Sequence, residues 1–407
     1  MFNRLAGASF AKYAGATVEH VIREVCGIRD DLLYATLLGQ FGNYGMVPSK
    51  ASFFIHAGIV SHYLDGAYYP VGSPNKITEA LIACVEAAGG RVLVKAKVSD
   101  ILVERGRAVG VRVEGKGGVE VRAAGGVISS IGARGVLKLL ESSDAESAGK
   151  IPWAKCVRED VSDGISHMSC FVGLDGTTES LDLRSSNQWV LPACQGNEAP
   201  DLERMCEQYY KGGIDTLSDG SGTMFFMGFP SAKDPLSQEK HPGKSTCVII
   251  SEAQREWFEA WKDAKSGRRG AEYNDLKEKW KAKMIECMHK LFPKTRGRVL
   301  FSEIGSPLSN EHYLGRAASY GLEPSQARFT ASGMAALRPA VSAVPGLFLA
   351  GQDVATAGWA GALSSGMMTA MAVLGYGFLD LVVFKRNLIG DLMHLPPLEA
   401  PVDVSES

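Results

Sequence analysis

The spacing of apolar and polar positions divides the chain into stretches of different character. Residues 1–72 mix short helical and loop patterns and end at Tyr68-Tyr69-Pro70-Val71-Gly72. Ser73-Pro74 then opens a predicted helix. Serine is a good N-cap, and proline at the first helical position lacks only an N–H that would have no partner there. Ile77, Leu81, Cys84, Val85 and Ala88 line one face at helical spacing, and Gly89-Gly90 ends the run. Strand patterns follow at 91–94, Val98–Glu104 and 108–114, and the turn Gly115-Lys116-Gly117-Gly118 leads into Val119–Arg122. A short apolar strand at 126–130 precedes Gly132.

From 137 to 330 the pattern changes. Period-two or apolar runs at 167–174, 223–229 and 246–251 predict strands set among polar loops. One predicted helix carries Trp257, Phe258 and Trp261. In a second, Leu276, Trp280, Met284, Cys287 and Leu291 recur at helical spacing. Strand and helix periods thus coexist, which predicts an α/β (α+β) chain with a mixed-sheet and helical region inserted into it.

At 407 residues the chain can bury a sizeable core in two intertwined domains. A net charge of -2 argues against a nucleic-acid groove or a polybasic membrane patch. Eight cysteines lie far apart with no CxxC pair, and the histidines lack ligand spacing, so neither a metal site nor a thioredoxin-type motif is expected. Free thiols in a reducing compartment are the expectation. Residues 1–10 hold one arginine and no apolar run long enough for a signal peptide. The uncharged stretch 354–379 is long enough for a membrane span, but its small residues equally suit a helix packed closely on a cofactor or sheet.

The strongest local signal is Pro345-Gly346-Leu347-Phe348-Leu349-Ala350-Gly351-Gln352-Asp353, followed by Gly358-Trp359-Ala360-Gly361-Ala362. An apolar strand ends at Gly351, an acid follows at once, and a Gly/Ala-rich turn opens a long helix. Asp353 could accept hydrogen bonds from sugar-like hydroxyls. The free N–H groups of the helix start favour negative charge, such as that of a reduced flavin at its N1/C2=O edge. The competing reading is a plain strand–turn–helix whose glycines serve packing alone.

Several blocks then make a resemblance specific. The run Phe348–Asp353, with Gly361-Ala362-Leu363 behind it and Lys385-Arg386-Asn387-Leu388 after it, resembles the C-terminal FAD motif of the retinol saturase (all-trans-retinol 13,14-reductase) family. Phe229-Pro230-Ser231-Ala232-Lys233-Asp234-Pro235, His241-Pro242-Gly243-Lys244-Ser245 and Trp257-Phe258-Glu259-Ala260-Trp261 are similar to that family in order and spacing. So are Leu291-Phe292-Pro293 and Gly305-Ser306-Pro307-Leu308-Ser309-Asn310. Carotenoid isomerases and phytoene desaturases share the FAD motif without the middle blocks.

The resemblance implies an FAD/NAD(P)-binding domain of the amine-oxidase/phytoene-desaturase type, split around a substrate domain. Residues 1–72 would be a helical, substrate-side segment, and 73–136 a portion of the FAD domain. A substrate-binding domain would occupy 137–330, the FAD domain would resume over 331–395, and 396–407 would be a flexible tail. The implied cofactor is FAD, with NAD(P)H as a candidate electron donor. Its contacts would be Val98 at adenine and Gly351, Asp353, Trp359, Ala360, Gly361 and Ala362 at the flavin. The implied reaction is saturation of one double bond in a polyene or retinoid lipid, with carotenoid isomerisation or desaturation, or a flavin-free lipid-binding remnant, as alternatives. No catalytic acid or base is assigned.

The family's setting is the endoplasmic-reticulum membrane, with a plastid as the alternative for a carotenoid substrate. The stretch 262–269 beside Trp257 and Trp261 reads either as a membrane-surface contact or as a solvated helix end. One departure stands out. The strand–Gly-rich loop–helix that clamps the FAD pyrophosphate is missing, and Gly115–Gly118 is a hairpin turn. A chain that starts inside the family's pattern, as a fragment or truncated gene product, is therefore expected, with FAD affinity in doubt for this chain alone.

Overall fold

The computed structural model describes residues 12–375 apart from 65, 116, 192–200 and 214–223. Cys194, the 385–388 block, the end of the 354–379 stretch and the C-terminal tail lie outside the described residues. Ten strands are described, in chain order: β1 Val98–Glu104, β2 Arg107–Val113, β3 Val119–Arg122, β4 Val127–Ser129, β5 Ser166–Asp175. They continue with β6 Gln188–Val190, β7 Phe225–Gly228, β8 Lys244–Ala253, β9 Val299–Gly305 and β10 Leu347–Leu349.

The first core forms where the antiparallel sheet β1-β2-β3 and the parallel pair β4-β10 meet the helix Ala133–Ser143. Val136, Leu137 and Leu140 recur at helical spacing and are buried, with Ile101, Val127, Leu347 and Leu349 among their core partners. Trp153, Val157 and Val161 join this core. The second core is built on a five-stranded antiparallel sheet in the order β6-β7-β8-β5-β9. The 21-residue helix Ala271–Leu291 buries Tyr273, Leu276, Trp280, Met284 and Met288 in it, and Val18, Tyr34, Leu38 and Phe41 from the start of the chain join the same cluster.

Strands expected from apolar patterning at 98–104, 108–114, 119–122, 126–130, 167–174 and 246–251 all overlap described strands. β9 escaped notice, because Ser302 and Glu303 interrupt its apolar run. The run 91–94 is not a strand. Val92, Leu93 and Val94 are exposed, and no strand lies alongside to complete a ladder among the described residues. The helix Asn75–Ala87 forms later than expected. Ser73 sits at φ 91° and makes no cap, and the helix buries none of its residues, leaving Leu81 and Val85 open. Ile128 and a face of the helix Gly358–Leu374 are likewise uncovered. No described helix is long and apolar enough to cross a membrane.

Burial predicts unequal sensitivities. Trp280 is fully buried and stacks near Trp257, so Trp280→Ala should cost about 3–5 kcal/mol in urea unfolding. Leu93→Ala, at a position 70% exposed, should change stability by no more than about 0.5 kcal/mol.

Candidate functional site

Asp353 follows β10 and is buried at 3% exposure. Its Oδ2 accepts from Ala133 N at 2.8 Å and from Arg316 Nη1 at 3.3 Å, and its Oδ1 accepts from Leu322 N at 3.0 Å. The Ala133 contact caps the helix Ala133–Ser143 from 220 residues away. That helix has Gly132 at its N-cap and no side-chain cap of its own, so the carboxylate fills an empty donor position where the helix dipole favours negative charge.

Two glycines make this approach feasible. A Cβ on Gly132 (φ 90°) would stand 2.8 Å from Asp353 Oδ2, and one on Gly321 (φ 70°) would stand 2.3 Å from Oδ1. Arg328, also buried, donates to the carbonyls of Leu322 (2.7 Å), Gln352 (2.7 Å), Asp353 (3.1 Å) and Ala355 (3.3 Å). Asp353, Arg316 and Arg328 thus lock the turn after β10 onto the 320–322 segment. Sequence reasoning named Asp353 and missed both arginines and both glycines. Nothing in their local spacing marks them, since their partners are distant in the chain.

Gly351 (φ 91°) lies against the backbone of Ser130. Gly358, at φ 89°, opens the helix Gly358–Leu374 with nothing within 4 Å of where a Cβ would stand, and its N–H reaches Gln352 Oε1 at 3.3 Å. The helix has no side-chain cap. Trp359 is 59% exposed and Ala360 and Ala362 are half-buried. Gly361 serves packing, because a Cβ there would stand 2.0 Å from Thr356 O. The buried face of the helix continues through Ser365 and Thr369, whose hydroxyl donates to Leu349 O at 2.7 Å. These residues share one turn-and-helix unit. Val98 opens β1 opposite Val113, on a different sheet.

The 320–322 segment also reaches the second core. Tyr320 donates to Gly42 O at 2.8 Å, and its ring meets that of His167 edge-on at 5.1 Å. Both border a cleft lined by Phe41, Trp189, Phe225, Phe226, Ile250 and Glu252. Glu252 and His167 face each other across β8 and β5. Burial pushes the Glu252 carboxyl up to about 7 and the His167 imidazole down to about 4. Tyr210 donates to Glu252 Oε2, while Oε1 is buried without a partner among the described residues. Tyr44, Cys206, Tyr209, Tyr210 and Tyr320 all sense the Glu252 charge, and burial raises each of them. None of the five is cationic. Sequence reasoning passed over this acid because a lone glutamate ending an apolar strand carries no motif.

Trp257 and Trp261, read from sequence as candidates for a membrane surface, pack against the second core. No family model matches the sequence. In fold the chain is similar to an oxidoreductase from Methanosarcina mazei, with a TM-score of 0.50 at 16% identity, covering 88% of this chain and 68% of that one. By sequence the chain is a relative of the all-trans-retinol 13,14-reductases. It is 36% identical over 376 residues to that of Danio rerio, covering 91% of this chain and 59% of the relative, and 34% identical over 366 residues to that of Homo sapiens, covering 89% and 57%. A second Danio rerio protein, described as an inactive all-trans-retinol 13,14-reductase, is 29% identical over 384 residues. The chain spans about three fifths of the length of these curated relatives. The resemblance drawn from the motif blocks therefore holds along nine tenths of the chain.

Two stability effects follow. Asp353→Ala strands two buried N–H groups and unpairs Arg316, so chemical denaturation should show a loss of about 3 kcal/mol. The second concerns pH. The folded-state value for Glu252 lies above its ordinary 4.5, so its stabilising contribution is complete below pH 4.5 and is lost as pH rises through 7. Glu252→Gln, which cannot ionise, should match the wild type near pH 4.5 and exceed it by up to about 3 kcal/mol at pH 8. His167 has its value lowered, so it weakens both proteins as pH falls from 6.5 through 4 and cancels in the difference. A gap in Tm between the two proteins that stays flat with pH would refute the buried-acid assignment.

Proposed function

We propose that this chain is the larger part of an FAD-dependent oxidoreductase that saturates one double bond of a polyene lipid, a retinoid being the substrate class. The observation that carries this reading is the 34–36% identity, over some nine tenths of the chain, to proteins described as all-trans-retinol 13,14-reductases. The site's chemistry supports FAD. The start of the helix Gly358–Leu374, whose N-cap residue Ala357 makes no side-chain cap, and the open space at Gly358 suit an electron-rich carbonyl edge. Gly351, Trp359, Ala360 and Ala362 are the proposed contacts there, with Asp353 and Gly361 supporting the turn and Val98 proposed at adenine. Bound there, FAD would supply hydride to one carbon of the double bond.

The chain's own residues orient the lipid and exclude water. Asp353 and Arg328 fix the turn that bears the cofactor contacts, and the same lock sets Tyr320 at the cleft wall. Phe41, Trp189, Phe225, Phe226 and Ile250 offer an apolar bed matched to a polyene. NAD(P)H is the proposed ultimate reductant. An endoplasmic-reticulum membrane surface is the proposed setting, and a plastid replaces it if the polyene is a carotenoid.

Purified full-length protein loaded with FAD, given a reductant and all-trans-retinol, should yield a product heavier by two hydrogens with blue-shifted absorbance. A product of unchanged mass would replace this reading with isomerisation, and failure to bind FAD would remove it. A Cβ on Gly42 would stand 2.6 Å from Trp189 Cζ3, so Gly42→Val should narrow the cleft. Retinol affinity, read by fluorescence titration, should fall by at least about tenfold.

A further inference from the structure

We propose that Glu252 is the proton donor of this reaction, a neutral carboxylic acid held at the wall of the lipid cleft. The inference rests on the polyene-reductase reading above. Three observations in the geometry carry it. Glu252 is 6% exposed and borders the cleft. Its Oε2 is occupied by the Tyr210 hydroxyl, so the free oxygen, Oε1, is the one available to carry the acidic proton. A Cβ on Gly42 would stand 3.6 Å from that oxygen and 2.6 Å from Trp189 Cζ3, so the missing side chain of Gly42 lets the Trp189 ring pack close to the acid.

The other titratable groups at the cleft are unsuited to the task. His167, pushed down to about 4 by burial, is neutral at physiological pH and holds no acidic proton to spare. Tyr320 spends its hydroxyl on Gly42 O, and burial raises it further from acidity. Glu252 lies near 7, where a group is both substantially protonated and able to give its proton up. A carboxylic acid kept neutral by an apolar site is an established way to run acid chemistry at neutral pH.

The step balances as follows. The Glu252 carboxyl gives a proton to one carbon of the double bond, and the adjacent carbon receives a hydride from a reduced flavin. One π bond is lost and two C–H bonds form. The flavin ends oxidised by two electrons and Glu252 ends as a carboxylate, recovering its proton from water when product leaves. Positive charge that develops along the polyene lies beside the rings of Phe41, Trp189 and Phe226, which favour a cation.

The test separates the acid from the cleft. Infrared difference spectra of the purified full-length protein should show a protonated carboxyl band that titrates near pH 7 and is absent from Glu252→Gln. Retinol fluorescence titration should give the same affinity within about twofold for Glu252→Gln, because the amide keeps the shape and the Tyr210 contact. In the FAD-loaded enzyme, Glu252→Gln should lower saturation turnover by about 10²–10⁴-fold, and Glu252→Asp should recover part of it. Wild-type turnover in a folded Glu252→Gln enzyme, or a carboxyl already ionised at pH 5, overturns the assignment of Glu252 alone. Unchanged retinol affinity in Gly42→Val instead overturns the cleft as the lipid site, and with it the reading on which this inference rests.

Discussion

The Asp353 carboxylate is the contact on which the rest of the site depends. Parts of the chain separated by nearly two hundred residues meet on its two oxygens: the start of the helix Ala133–Ser143 and the backbone of Leu322. Arg316 supplies charge on the same side, and Arg328 gathers the carbonyls on the opposite side of the turn. A buried carboxylate with fewer donors would be costly, because the low-dielectric interior penalises every unmet lone pair. Here the donors are backbone groups that would otherwise lack partners, so acid and helix end satisfy one another. The lock also reaches past the first core, because Tyr320, two residues before Leu322, carries its effect to the cleft.

Much of the fold was legible because it rests on local periodicity. The 3.6-residue spacing of Leu276, Trp280 and Met284 gave a buried helix, and runs such as 167–174 gave strands. Glycine-rich punctuation at 351–362 marked a turn-and-helix unit, but not its division of labour. Gly361 packs against Thr356 while Gly358 faces open space, and no pattern distinguishes a glycine needed for contact from one needed for room. Glu252 was illegible for a related reason. Its character comes from β5, from the helix Leu202–Gly212 and from the 320 segment, which surround it only after folding.

The helix Asn75–Ala87 shows where periodicity stops informing. Its apolar stripe correctly predicted a helix, yet Leu81 and Val85 stay exposed, as do Leu93, Val94 and Ile128. Hydrophobic spacing specifies an element with a face to bury, and says nothing about which surface buries it. The parallel pair β4-β10 sharpens the point. Parallel strands occur almost entirely in sheets covered on both faces, and here Ile128, midway along β4, is 56% exposed. Some two fifths of each of those relatives lies beyond the matched region.

Why the cleft holds an acid rather than an ion pair is a question of what surrounds it. A lysine or arginine within a few ångströms would favour the carboxylate and work against burial. The residues that sense its charge are tyrosines and a cysteine, all of which are themselves pushed toward their neutral forms. The Tyr210 hydrogen bond lowers the carboxyl by less than burial raises it, so the acid form is favoured. The same apolar walls that would admit an apolar ligand and exclude water are what keep the carboxyl neutral, so the ligand's place and the neutral acid have one physical cause. A variant that wets the cleft must lose both together, while one that replaces the carboxyl alone separates them.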